Sequence, residues 1–117
     1  MTVLLVALGA AVGAPLRYLT DRAVQARLGT DFPWGTLTVN VVGSLILGFL
    51  IGLPATAAWT ALLGTGFCGA LTTYSTFSWE TLTLARTGAR LRAMAYVLLS
   101  VTAGLGAASI GLLAARA

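Results

Sequence analysis

Charge is missing from most of this chain, and the places where it is missing decide what the chain can fold into. Positions 1–16, 32–79 and 93–115 contain no Asp, Glu, Lys or Arg. A helix crosses a bilayer core with roughly 20 apolar residues. The first run, extended through Arg17 and Tyr18, supplies one short span, and the last run supplies one full span. The middle run is long enough for two, with Gly52-Leu53-Pro54-Ala55 as the natural break between them. The expectation is an all-α membrane protein: one integral membrane domain of four transmembrane helices, at about 2–20, 35–53, 57–78 and 93–115. The first run has no basic stretch ahead of it, so it reads as a span rather than a cleaved signal peptide.

The rest of the composition removes whole classes of function. Charged residues make up 9% of the chain and hydrophobic residues 58%, whereas a soluble domain carries about a quarter charged residues. Such a chain cannot cover a water-facing surface. Cys68 is the only cysteine and histidine is absent, so an internal disulfide and a Cys-His metal cluster are both excluded. The lack of histidine also removes the commonest general base, and the chain is not expected to be an enzyme. The net charge of +4 comes from seven Arg against three acids. These arginines lie between apolar runs and form no patch, which fits orienting charges and not a nucleic-acid surface. Arg22 and Arg27 fall between the first two spans; Arg86, Arg90 and Arg92 fall between the last two. Only Arg116 lies on the other side. The positive-inside rule then puts both Arg-bearing loops in the cytoplasm of a multi-pass protein of the cell membrane.

Trp34, Trp59 and Trp79 sit at expected helix ends, where interfacial anchoring accounts for them. Phe32-Pro33-Trp34-Gly35 reads as a turn into the second helix. Gly9 and Gly13, Gly48 and Gly52, Ala57 and Ala61, and Gly104 and Ala108 keep the small-xxx-small spacing that lets helices approach closely in lipid. Four short helices enclose little interior, so oligomerisation is expected.

Three features exceed the needs of packing. Asn40 lies mid-helix, where an amide must either bond another helix or face a wet cavity. The segment from Gly64 to Ser78 holds three glycines in six positions and then a run of hydroxyl residues. It either unwinds, leaving carbonyls that attract a cation, or continues as a helix whose hydroxyls bond back to the backbone. Arg17 ends the first span and either snorkels to the interface or concentrates anions at a pore mouth. No acid lies within any span, which disfavours a proton relay and an acidic cation pore. The polar inventory is Asn, Thr, Ser and Tyr, with Phe ring edges. It suits a small, hard anion that exchanges its water shell for hydrogen-bond donors.

Three segments, in order, resemble the Fluc (CrcB) fluoride channels: Gly13-Ala14-Pro15-Leu16-Arg17-Tyr18, Gly35-Thr36-Leu37-Thr38-Val39-Asn40-Val41-Val42-Gly43, and the stretch from Gly66 through Phe67, Cys68, Gly69 and Ala70 to Trp79 and Glu80. The resemblance implies fluoride-selective passive export through an antiparallel dimer, with the third helix broken at mid-membrane. It implies a structural, untransported sodium ion held by the backbone carbonyls of Gly69 and Thr72 from each subunit. Asn40 would line the pore. Tyr74 and Phe77 would be its paired aromatics, with Ser75 and Thr76 between them as donors. Tyr96 and Ser100 would form a polar track on the fourth helix, and Arg17 would stand near the vestibule. Tyr74 replaces the family's usual Phe, and Gly104 shortens the track. The antiparallel partner is expected to be an inverted copy of the chain itself or an oppositely oriented paralogue, and the arginine loops, which fix one orientation, point to the paralogue. Two other readings are a small multidrug exporter, which needs a carboxylate that the first helix lacks, and a non-conducting membrane subunit whose Asn and small residues only join helices.

Overall fold

The computed structural model describes residues 1–29, 31–54 and 56–117. Thr30, in the first arginine loop, and Ala55, in the expected break after the second span, lie outside the described residues. Among those described, the chain is all-helical. Helix α1 spans Thr2–Leu28, α2 Trp34–Gly52, α3 residues 57–71, α4 Ser75–Arg86 and α5 Arg90–Arg116. Helices α1, α2 and α5 are long and apolar enough to cross a membrane.

Two helices outrun their expected ends for local reasons. Helix α1 continues to Leu28, so Arg22 and Arg27 sit on helix and not in a loop. Gln25 Nε2 donates to both carboxylate oxygens of Asp21 at 3.1 Å, and Arg22 Nη1 donates to the Tyr18 hydroxyl at 3.0 Å. Both are i, i+4 pairs that support helix beyond the apolar run. Arg27 complements the dipole in the last turn, and Gly29, at φ 84°, ends the helix in a conformation that favours glycine. Helix α4 continues past Trp79 to Arg86, which places Trp79 within a helix instead of at its end.

Helix α3 is not uniform. Thr56 caps its start by accepting the Trp59 N–H, and a single α-turn, Ala57–Trp59, leads into a π-helical stretch, Thr60–Cys68. The Gly69 N–H reaches the Gly64 carbonyl five residues back. One α-turn, Gly69–Leu71, follows. Wide turns of this kind are rare and concentrate at functional sites.

Small residues bring backbones into contact. A Cβ at Gly66 of α3 would stand 2.6 Å from the Val6 carbonyl oxygen and 3.1 Å from the Gly9 Cα of α1. A Cβ at Gly9 would meet the Leu62 carbonyl. Helices α2 and α5 meet in the same way: Gly48 lies against the Ala108 backbone, and a Cβ at Gly111 would reach the Phe49 nitrogen at 2.7 Å. Val39 and Tyr96 are the largest fully buried side chains. Leu4, Leu8, Leu19, Leu98, Leu105 and Leu113 are exposed on the outside of the bundle, where a bilayer would cover them.

Candidate functional site

The backbone between α3 and α4 leaves the helical path at residues 72–74. Thr72 is extended, with φ −83° and ψ 161°. Asn40, on the neighbouring α2, holds this departure. Its Oδ1 accepts the Thr73 N–H at 2.8 Å, and its Nδ2 donates to the Thr73 carbonyl at 3.1 Å. One amide therefore satisfies both backbone groups of one residue. Thr73 itself is buried, and its hydroxyl accepts the Thr76 N–H at 3.2 Å, which caps the start of α4.

These two bonds have a consequence for the carbonyls. In a continuous helix the Thr73 N–H would go to the Gly69 carbonyl and the Thr76 N–H to the Thr72 carbonyl. Here both donors are diverted, the first to Asn40 and the second to the Thr73 hydroxyl. The Cys68 carbonyl, by contrast, accepts from both the Thr72 N–H and the Thr72 hydroxyl. The diverted donors leave neutral carbonyl oxygens, the ligand type that hard cations take. Among the described residues no cluster of three or more His, Cys, Asp or Glu could hold a metal.

Two cavities flank the break. A groove of about 350 Å³ is lined by residues that include Asn40, Ser44, Gly69, Thr72, Thr73 and Tyr74. Asn40 keeps one N–H beyond the one given to Thr73. On the other side a cleft of about 200 Å³ joins Arg17, Tyr18, Asp21 and Thr36 to Thr73 and Thr76. Thr73 lines both.

An aromatic chain runs beside the break. The Phe77 and Tyr96 ring centroids are 5.0 Å apart, and Phe32 meets Tyr96 edge-on at 5.5 Å. Tyr74 is 6.3 Å from Phe77 and 82% exposed. The buried Tyr96 hydroxyl donates to Glu80 Oε1 at 3.2 Å. Ser100 Oγ, on the same face of α5, is buried without a partner among the described residues.

The residues singled out from the sequence are thus grouped unevenly. Asn40, Gly69, Thr72 and Tyr74 share one groove, Arg17 and Thr76 share the opposite cleft, and Phe77 packs at a tilt against Tyr96. Ser75 is exposed, with its hydroxyl 3.4 Å from that of Thr73. Ser100 lines neither cavity. Thr73, Phe32 and Glu80 were not picked out. Thr73 is one of several hydroxyls in the run and nothing local sets it apart; the bond of Glu80 to a tyrosine sixteen residues on has no signal in local sequence.

Residues 4–112, which include every residue named at the break, match the family described as CrcB-like protein, Camphor Resistance (CrcB). The chain belongs to the CrcB family. It is 60% identical to the Fluoride-specific ion channel FluC 1 of Frankia casuarinae, over 100% of this chain and 98% of that relative. It is 56% identical to the FluC 1 of Streptomyces avermitilis, again over 100% of this chain and 98% of the relative. The FluC 2 of Rhodococcus jostii is 55% identical over 95% of this chain and 96% of its own length. In this CrcB protein the polar groups at the break are amide, hydroxyl and carbonyl, with Arg17 and Asp21 the charged residues in the adjoining cleft.

Proposed function

We propose that this chain is a fluoride channel of the cell membrane that lets cytoplasmic fluoride run out passively. The observation that carries the reading is the break itself, where Asn40 draws the Thr73 backbone out of the helix beside an acid-free groove. The names of the relatives supply the anion. Residues 57–78 form a fourth crossing, made of α3 and the first turn of α4 and interrupted near mid-membrane. Fluoride loses its water against the free Asn40 N–H, the hydroxyls of Ser75, Thr76 and Ser100, and the electropositive edges of Tyr74 and Phe77, with Tyr96, whose hydroxyl donates to Glu80, on the path through its ring beside Phe77. Arg17 raises the anion concentration at the vestibule.

Two chains pair antiparallel across the groove at the break, and each contributes the Gly69 and Thr72 carbonyls to a structural sodium ion. That ion would offset the partial negative charge of carbonyls left without donors. The arginine-rich ends face the cytoplasm, and the one-sided charge makes an oppositely oriented paralogue the partner.

A second reading, a non-conducting subunit in which Asn40 only joins helices, is favoured by the two bonds that Asn40 already makes. Liposomes loaded with fluoride and containing the purified protein separate the two. A channel gives rapid fluoride efflux that is lost when sodium is removed. Background efflux from liposomes that also hold the paralogue would leave the subunit reading.

A further inference from the structure

A cleft of about 310 Å³ lies between α4 and α5, lined by Thr81, Ala93, Met94, Val97 and Leu98. It shares no residue with either cavity at the break. On α5, Arg90, Met94, Val97 and Leu98 follow the spacing i, i+4, i+7 and i+8, so one face carries an arginine and then the wall of the cleft. From Arg90 to Leu98 the helix rises ~12 Å. Met94 and Leu98 are 61% and 64% exposed. Arg90 is exposed too, and the chain has no Asp or Glu after Glu80. No carboxylate of its own hairpin partner beyond that point offsets Arg90 or the nearby Arg86.

A cation at the head of an apolar slot complements a molecule that is anionic at one end and hydrocarbon at the other. We propose that this cleft binds an anionic phospholipid, its phosphate against Arg90 and one acyl chain along Met94, Val97 and Leu98. Basic pockets between transmembrane helices recruit acidic headgroups on the cytoplasmic side in this way. An acyl chain gains no hydrophobic free energy by leaving lipid for an apolar slot, so the preference among lipids comes from the headgroup. A second copy of the chain could offer Arg90 the exposed Asp31; its other two acidic side chains are half-buried, Asp21 accepting from Gln25 and Glu80 from Tyr96, so that copy is the competing occupant in the test.

The proposal needs only the membrane setting, and it is tested without fluoride. The full-length protein in detergent is given equal phosphatidylglycerol and phosphatidylcholine, and bound lipid is counted by native mass spectrometry. Wild type retains phosphatidylglycerol in preference. Arg90→Gln weakens that retention about fivefold, while Arg116→Gln, at the opposite end of α5, leaves it unchanged. Val97→Trp fills the slot, keeps every charge and abolishes retention. Should that variant fail to fold, maleimide labelling of Met94→Cys is the second measure: phosphatidylglycerol slows it and phosphatidylcholine does not. Equal retention of both lipids by wild type, or unchanged retention in Arg90→Gln, overturns the proposal. So does labelling of Met94→Cys that slows only as protein concentration rises, because a second copy would then be the occupant.

Discussion

Replacing Asn40 with Ala removes the two bonds that hold residues 72–74 out of the helix. The Thr73 N–H loses an acceptor at 2.8 Å and its carbonyl loses a donor at 3.1 Å, at a residue only 8% exposed. Hydrogen bonds between helices in membrane proteins average roughly 0.6 kcal/mol and reach about 1.7. Leaving a buried donor unsatisfied adds about 1–3 kcal/mol. Asn40→Ala is therefore expected to cost roughly 2–4 kcal/mol, read as the shift in a reversible unfolding titration with sodium dodecyl sulfate, and to remove fluoride efflux. A loss below about 0.5 kcal/mol, the range of an uninvolved surface site, would refute the reasoning. It would mean that the Thr73 N–H finds another acceptor at little cost, the Gly69 carbonyl being the one a continuous helix provides.

Gly66→Val puts a Cβ 2.6 Å from the Val6 carbonyl oxygen; with backbone on the other side the helices must separate, costing upwards of about 1–3 kcal/mol in the same titration. Thr73→Val keeps the shape but leaves the Thr76 N–H uncapped, for a loss of about 1 kcal/mol; a null result would show that α4 needs no cap there. Replacing sodium with a bulky organic cation is expected to abolish efflux and weaken dimerisation, measured by single-molecule photobleaching in liposomes. Cysteine labelling of intact cells expressing this chain alone is expected to find one orientation, and comparable labelling from both sides would remove the case for a paralogue partner.

Much of the fold is legible because a bilayer converts composition directly into topology. A stretch with no charge and about the right length has few other places to go, so α2 and α5 match their expected spans closely. The residues at the break were legible as a group for a related reason: an amide and a run of hydroxyls at membrane depth each need a partner, whichever fold supplies it. Helix ends were less legible. Hydropathy stops α1 near residue 20, but the Asp21–Gln25 and Tyr18–Arg22 pairs carry it to Leu28, since helix continues wherever neighbours one turn apart support it.

By itself, then, the sequence determined that the chain is helical, that it belongs in lipid, and that its polar groups must be bonded inside the bundle. Which groups bond to which was decided only in three dimensions. Asn40 meets Thr73 across thirty-three residues and takes the N–H that a helix would give to the Gly69 carbonyl, while the Thr73 hydroxyl takes the Thr76 N–H that would go to Thr72. The π-helical stretch Thr60–Cys68 leads into the break, and Gly66 lets it lie against the α1 backbone at Gly9. Hydrophobicity is a property of each residue, whereas a hydrogen bond is a property of two, and the second residue is brought within reach only by how closely the backbones pack.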